Sequence, residues 1–305
     1  MSNIIKAFEN KKALIGFIMA GDPDLETTKK CIISMSKAGA TMVELGIPFS
    51  DPIAESSIIQ SANIRALKSG TYLNKIFETI KDVRKESDVQ IVFHSYINPI
   101  FNYGYENFFK MCKETNVGGI IIPDLPFEEK AEIKEYADKY DIDIISFIVP
   151  SPKERIKQIA TEATGFIYFV PSIGSTKGLE DNAREVHDDI EYIKSITKTP
   201  IAIGFGINTP AQAEYFSKIA DGIIIGNAIV KIIEKNGKEA PEKVFEYIKE
   251  MDAVLNWIFW IFGEKNTKKQ AQQAIIGKYI IINNNTEWMM KVHLIQNLFW
   301  KRVEL

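Results

Sequence analysis

Short β-branched apolar runs alternate with amphipathic stretches of helical period along most of this chain, and that alternation leaves few folds open. The apolar runs fall at Ala13–Met19, Thr41–Leu45, Gln90–Phe93, Gly118–Ile122, Asp143–Ile148, Gly165–Val170, Pro200–Ile203 and Asp221–Ile225. Helical periods occupy Asp24–Ala38, Leu73–Ser87, Tyr105–Thr115, Phe127–Tyr140, Pro152–Thr161, Ala183–Thr197, Thr209–Ile219 and Asn227–Asn236. The runs are continuously apolar, as parallel strands covered by helices require. Eight strand–helix units predict an α/β fold closed into a (β/α)8 TIM barrel. An open doubly wound sheet would carry a G-x-G-x-x-G turn after its first strand, and Ala20-Gly21-Asp22-Pro23-Asp24 lacks it.

Composition narrows the functional classes. A hydrophobic fraction of 46% with 25% charged residues is that of a globular protein with a full core. The net charge of −3 makes no electrostatic case for nucleic acid. The two cysteines, Cys31 and Cys112, lie in helical patterns, which argues against a disulfide framework or a zinc site and suits a reducing cytoplasm. No His/Cys/Asp spacing suggests a metal, so none is expected. Neither a signal-peptide h-region nor a run of 18 apolar residues is found, so a cytoplasmic protein without a membrane span is expected.

The chemistry concentrates at the ends of the predicted strands. Val43-Glu44-Leu45-Gly46 delivers a carboxylate to the end of the second apolar run, where Gly46 and Pro48 stop the strand. A charge in an apolar strand is costly unless it is paired or used, and at the C-terminal end of a barrel strand the usual use is catalysis. Glu55 stands a short loop away, and Asp124 follows the fourth run, where it could equally be a helix-capping acid. Tyr168 and Tyr96 could bring hydroxyls to the same face. A carboxylate whose proton affinity is raised, beside another that stays ionised, is what general acid–base work needs. Gly204-Phe205-Gly206 and Gly226-Asn227 each precede a helical pattern, in the two units whose loops form the recurrent phosphate site of such barrels. His94 ends the third run, but a lone histidine there is more often packed or hydrogen-bonded than catalytic. The polar stretch from Pro171 to about Asn182 is a candidate lid, with a plain surface loop as the alternative.

Leu45-Gly46-Ile47-Pro48-Phe49-Ser50-Asp51-Pro52 closely resembles the signature of the tryptophan synthase alpha chain family. Gly21-Asp22-Pro23, Tyr96-Ile97-Asn98-Pro99, Pro123-Asp124-Leu125-Pro126, Gly204-Phe205-Gly206-Ile207 and Gly226-Asn227-Ala228-Ile229-Val230 carry the resemblance over residues 1 to roughly 250. It implies a lyase that cleaves indole-3-glycerol phosphate to indole and glyceraldehyde 3-phosphate by a retro-aldol reaction in tryptophan biosynthesis. Glu44 matches the family's proton-transferring glutamate. Glu55 stands where the family has an aspartate that holds the indole N–H, and Tyr168 matches a tyrosine near the reacting centre. Phe17, Ile59, Tyr96 and Phe205 match substrate-pocket positions, with Asp124 beside them. Gly206, Gly226 and Asn227 match the phosphate site, and Thr176 matches the threonine of the mobile loop. No cofactor is implied for this chain; pyridoxal phosphate is expected in a beta chain partner, in an alpha2beta2 heterotetramer.

The chain departs from the family pattern in three places. The usual Ala-Asp-Gly-Pro is Ala54-Glu55-Ser56-Ser57, which lengthens the indole-binding acid and removes two residues that stiffen the loop. A loop usually reading Gly-Val-Thr-Gly is Gly174-Ser175-Thr176-Lys177-Gly178. Third, the family pattern ends near residue 255, so 1–255 is expected to be the barrel domain and 256–305 an extension. The extension holds all four tryptophans and seven Lys/Arg against three Asp/Glu, about +4 against about −7 for the rest. It reads either as translation past the normal end, through a frameshift or lost stop codon, or as an appendage for a partner or membrane surface. The Glu55 departure also leaves open a catalytically weakened chain that serves as an activating partner of the beta chain. A free-standing indole-releasing lyase, or another phosphate-binding isomerase barrel, are further alternatives.

Overall fold

Nine parallel strand segments form one sheet: β1 (Ala13–Met19), β2 (Met42–Gly46), β3 (Gln90–His94), β4 (Gly119–Ile121), β5 (Asp143–Ile144), β6 (Ser146–Ile148), β7 (Ile167–Phe169), β8 (Ile201–Ile203) and β9 (Gly222–Ile225). This computed structural model describes residues 3–171, 183–204 and 206–256. Thr176, Phe205 and residues 257–305 lie outside them. The strand order is β5-β4-β3-β2-β1-β9-β8-β7-β6. The two ends of that order are one apolar run, because β5 and β6 are separated by Ile145 alone. Ile145 donates its N–H to Ile120 of β4, while β6 pairs with β7. The predicted strand Asp143–Ile148 is therefore divided, and the eight-stranded barrel closes through that division.

Helices α1 (Leu25–Ala38), α2 (Ser57–Lys68), α3 (Leu73–Val83), α4 (Ile97–Tyr103), α5 (Tyr105–Glu114), α6 (Ala131–Tyr140), α7 (Lys153–Thr161), α8 (Ala183–Ile196), α9 (Pro210–Ser217), α10 (Asn227–Asn236) and α11 (Ala240–Leu255) fall between or after the strands. The predicted helix Phe127–Tyr140 is a 3₁₀ turn, Phe127–Glu129, followed by α6. Three helices, α2, α4 and α11, have no counterpart in the predicted set. Of these, α11 buries Val244, Ile248 and Met251 completely, at roughly 1.5–3 kcal/mol each.

Two apolar layers result. Residues such as Leu14, Val43, Ile91 and Phe169 face the helices, whereas Ile15, Met42, Val92, Ile121, Ile145, Phe166 and Ile224 fill the barrel interior. The N-terminal 3₁₀ turn Asn3–Phe8 plugs the N-terminal end. Its Ile4 occupies the space that a Cβ on Gly118 or Gly119 would need, and Phe8 packs on Phe166 with ring centroids 5.6 Å apart. With that end sealed, the C-terminal end is where a site can open.

Candidate active site

Register decides which side chains meet at the open end. Phe17 pairs with Glu44 and Glu44 with Val92, so these three lie in one layer of the parallel sheet. Gly46 pairs with His94, two residues nearer the mouth. A Cβ at Gly46 would come within 3.0 Å of Met19 and Phe17, so a bare glycine lets those side chains pack over the end of β2. Glu44 is 1% exposed. Its Oε1 lies 2.6 Å from Nδ1 of His94, and its Oε2 is buried with no hydrogen-bond partner among the described residues.

Glu55, on the loop between β2 and α2, brings its Oε1 to 2.9 Å from Nε2 of the same His94, off line for a hydrogen bond. Burial alone would lower the His94 pKa. The charge of Glu55 and the hydrogen bond to Glu44 outweigh it and raise the value to about 10. An imidazolium is thus held between two carboxylates. His94 is packed and hydrogen-bonded, as its position in the sequence suggests, and its partners are the two candidate acids themselves. Its placement at the end of β3, beside the strand that ends in Glu44, was the available signal.

The loop carrying Glu55 is tied at both ends. The Ala54 N–H donates to the Tyr96 hydroxyl at 2.9 Å, and Tyr96 packs on Phe49 with centroids 5.3 Å apart. Burial, then the charge of Glu55, pushes the Tyr96 pKa up to about 12, which keeps that acceptor neutral. Ser56 caps α2 and donates to Asn227 Oδ1 at 2.8 Å. Side-chain hydrogen bonds therefore restrain a loop that has lost its Gly-Pro pair.

Tyr168 on β7 lies against Phe147, centroids 4.9 Å apart. Burial first, then the charges of Glu44 and Glu55, hold its pKa well above the usual phenol value, so its hydroxyl stays protonated. Asp124 has a different place. Its Oδ1 accepts the Ile97 N–H at 3.0 Å, capping α4 from the β4 loop.

A cavity of about 440 Å³ opens at the C-terminal ends of the strands. Phe17, Glu44, Glu55, Ile59, His94, Tyr168, Gly206, Gly226 and Asn227 share its wall. Neither Tyr96 nor Asp124 is among its lining residues. Gly206 has φ of +82° and open space where a Cβ would stand, while Gly226 and Asn227 begin α10. Bare backbone beside a helix N-terminus suits an anion. The volume falls in the ordinary range for a small-molecule site. Among the described residues no group of three His, Cys, Asp or Glu could hold a metal, and no helix is long and apolar enough to cross a membrane. Cys31 and Cys112 are buried free thiols.

Residues 5–256 match the family model described as tryptophan synthase alpha chain. The chain belongs to that family. The tryptophan synthase alpha chain of Lacticaseibacillus casei is 45% identical over 251 residues, covering 82% of this chain and 94% of that protein. The one from Thermoanaerobacter sp. strain X514 is 41% identical over 262 residues, covering 84% of this chain and all of its own length. Tryptophan synthase subunit alpha from Campylobacter jejuni superposes with a TM-score of 0.75 at 32% identity, covering 82% of this chain and 99% of that one. Tryptophan synthase alpha chains are lyases of tryptophan biosynthesis that cleave indole-3-glycerol phosphate. The (β/α)8 barrel seen here is the fold of these structural relatives.

Proposed function

We propose that this cavity performs the retro-aldol cleavage of indole-3-glycerol phosphate, with Glu44 as the proton-transferring group. The observation that carries the proposal is the buried Glu44 Oε2, unpaired at the wall of a cavity whose wall also includes Gly206, Gly226 and Asn227. Protonated at that oxygen, Glu44 gives its proton to C3 of the indole ring. The resulting carboxylate takes the proton of the glycerol hydroxyl beside the scissile bond. As that hydroxyl becomes an aldehyde, the C–C bond electrons return to the ring, and indole and glyceraldehyde 3-phosphate form with Glu44 reprotonated. Positive charge develops on the ring nitrogen meanwhile, and Glu55 accepts its N–H. Phe17 and Ile59 flank the ring, and the neutral Tyr168 hydroxyl is a donor in the same wall. Gly206, Gly226 and Asn227 hold the phosphate at the start of α10, which contributes orientation. By resemblance, Phe205 is a substrate-binding position and Thr176 the threonine of the family's mobile loop.

No cofactor is assigned to this chain, which works in the cytoplasm with a beta chain that carries pyridoxal phosphate. A Pyrococcus furiosus relative at 35% identity, TM-score 0.73, is described as part of a tryptophan synthase a2b2 complex, and that supports an alpha2beta2 assembly. The longer acid at Glu55, engaged with His94, favours one second reading: a weakened lyase kept as an activator of the beta chain. Indole release from indole-3-glycerol phosphate, with and without a beta chain, separates the two. Wild-type turnover that falls about 10²- to 10⁴-fold in Glu44→Gln supports the lyase. Equal inactivity of wild type and variant, with the beta chain still stimulated, refutes it and leaves the activator.

A further inference from the structure

The trio Glu44–His94–Glu55 contains a cation that the proton-transfer scheme does not use. His94 sits at the end of β3 with its side chain 12% exposed, and each ring nitrogen meets a carboxylate carried by a different segment: Glu44 on β2, Glu55 on the loop before α2. Its ring edge stands on Phe17, centroids 5.6 Å apart at 76°, which fixes the plane of the imidazole. The titratable neighbours of the pair are Tyr168 from β7, whose hydroxyl feels both carboxylates, and Tyr96 after β3, whose hydroxyl feels Glu55. Lys130 and Arg155 lie in the wall of the same cavity.

Resting on the lyase reading above, we propose that His94 is a positioning residue of this site: an imidazolium clamp that takes one oxygen of Glu44 and one of Glu55 and leaves the second oxygen of each for the substrate. The Glu44 contact is a hydrogen bond of 2.6 Å and the Glu55 contact an ion pair of 2.9 Å. Glu44 shows the consequence directly, since Oε1 is engaged and Oε2 is buried without a partner. The clamp also answers a charge problem. Two carboxylates converging in a buried wall repel, and a cation between them relieves that repulsion. A carboxylate reaching His94 from the loop takes a side chain as long as Glu55, so the unusual acid and the histidine form one device. Removing the ring frees Glu44 to turn its reactive oxygen away, and a displacement near 1 Å costs about 100-fold in rate.

Imidazole ¹⁵N NMR of the full-length wild type tests the clamp without any turnover. With three histidines in the chain, the His94 signal is the one missing from His94→Gln. Both of its nitrogens are expected to be protonated at pH 8.5, and a neutral ring at pH 7.5 overturns the proposal. Indole release then tests positioning. His94→Gln is expected to lose about 10- to 100-fold in kcat with KM within about threefold. The acid limb of its kcat/KM profile moves to higher pH, because two carboxylates then face each other without a cation. His94→Asn is the second variant should the glutamine form fail to fold. If the wild type releases indole and both folded variants match it in kcat and pH profile, His94 has no positioning role. If the wild type releases none even with a beta chain, the lyase reading falls and the clamp's function with it.

Discussion

Gly204→Ala tests the packing behind Tyr168, with a size that follows from the structure. A Cβ at Gly204 would stand 2.5 Å from Tyr168 Cε1, 2.6 Å from its hydroxyl oxygen and 2.7 Å from Cζ. Ordinary contact begins near 3.4 Å, so the ring must retreat by roughly 1 Å. Phe147 lies against that ring and limits the retreat. Overpacking of this kind costs about 1–3 kcal/mol of stability. The same shift displaces the Tyr168 hydroxyl in the cavity wall, and a misplacement near 1 Å can cost about 100-fold in kcat/KM. Thermal unfolding and indole-release kinetics are measured for Gly204→Ala, Tyr168→Ala and the double variant. The glycine substitution is expected to destabilise the wild type by more than about 1 kcal/mol, yet to cost little once the ring is gone, giving a clear coupling energy. A Gly204→Ala protein with unchanged melting temperature and kcat/KM would refute the packing argument. So would a double variant whose losses simply add.

Two further expectations concern pH and capping. The folded-state pKa of His94 is raised from 6.5 to about 10, so its contribution to stability is full below about pH 6.5 and is lost as pH rises towards 10. Melting temperatures across that window should decline more steeply for the wild type than for His94→Gln, and parallel curves would contradict the imidazolium. Asp124→Ala removes the acceptor of the Ile97 N–H and should destabilise the protein by about 0.5–2 kcal/mol in urea titrations. An unchanged urea midpoint would show that this cap contributes nothing.

The strand–helix alternation was readable in one dimension because each apolar run matches one strand position and each helical period one covering helix. Where reading failed, the missing information was three-dimensional. Nothing local marks Ile145 as the place where pairing passes from β4 to β7, since it is as apolar as its neighbours and only hydrogen bonds to distant strands show it. Helix α4 contains Pro99 and borrows its cap from Asp124, 27 residues away, so neither period nor local caps announce it. Asp124 itself was legible as an acid after a strand, while its choice between cavity and cap depended on where α4 begins.

What the sequence determined by itself was the barrel, the costly carboxylate at Glu44 and the glycines at the last two strand ends, because burial cost and backbone freedom belong to single residues and their neighbours in the chain. What the tertiary structure decided was the company those residues keep. Parallel register sets Gly46 opposite His94, and the loop tied by Tyr96 and Asn227 returns Glu55 to the same ring. Residues 44, 55 and 94 become one charged cluster for a physical reason: parallel pairing sets the C-terminal ends of neighbouring strands side by side whatever their separation along the chain.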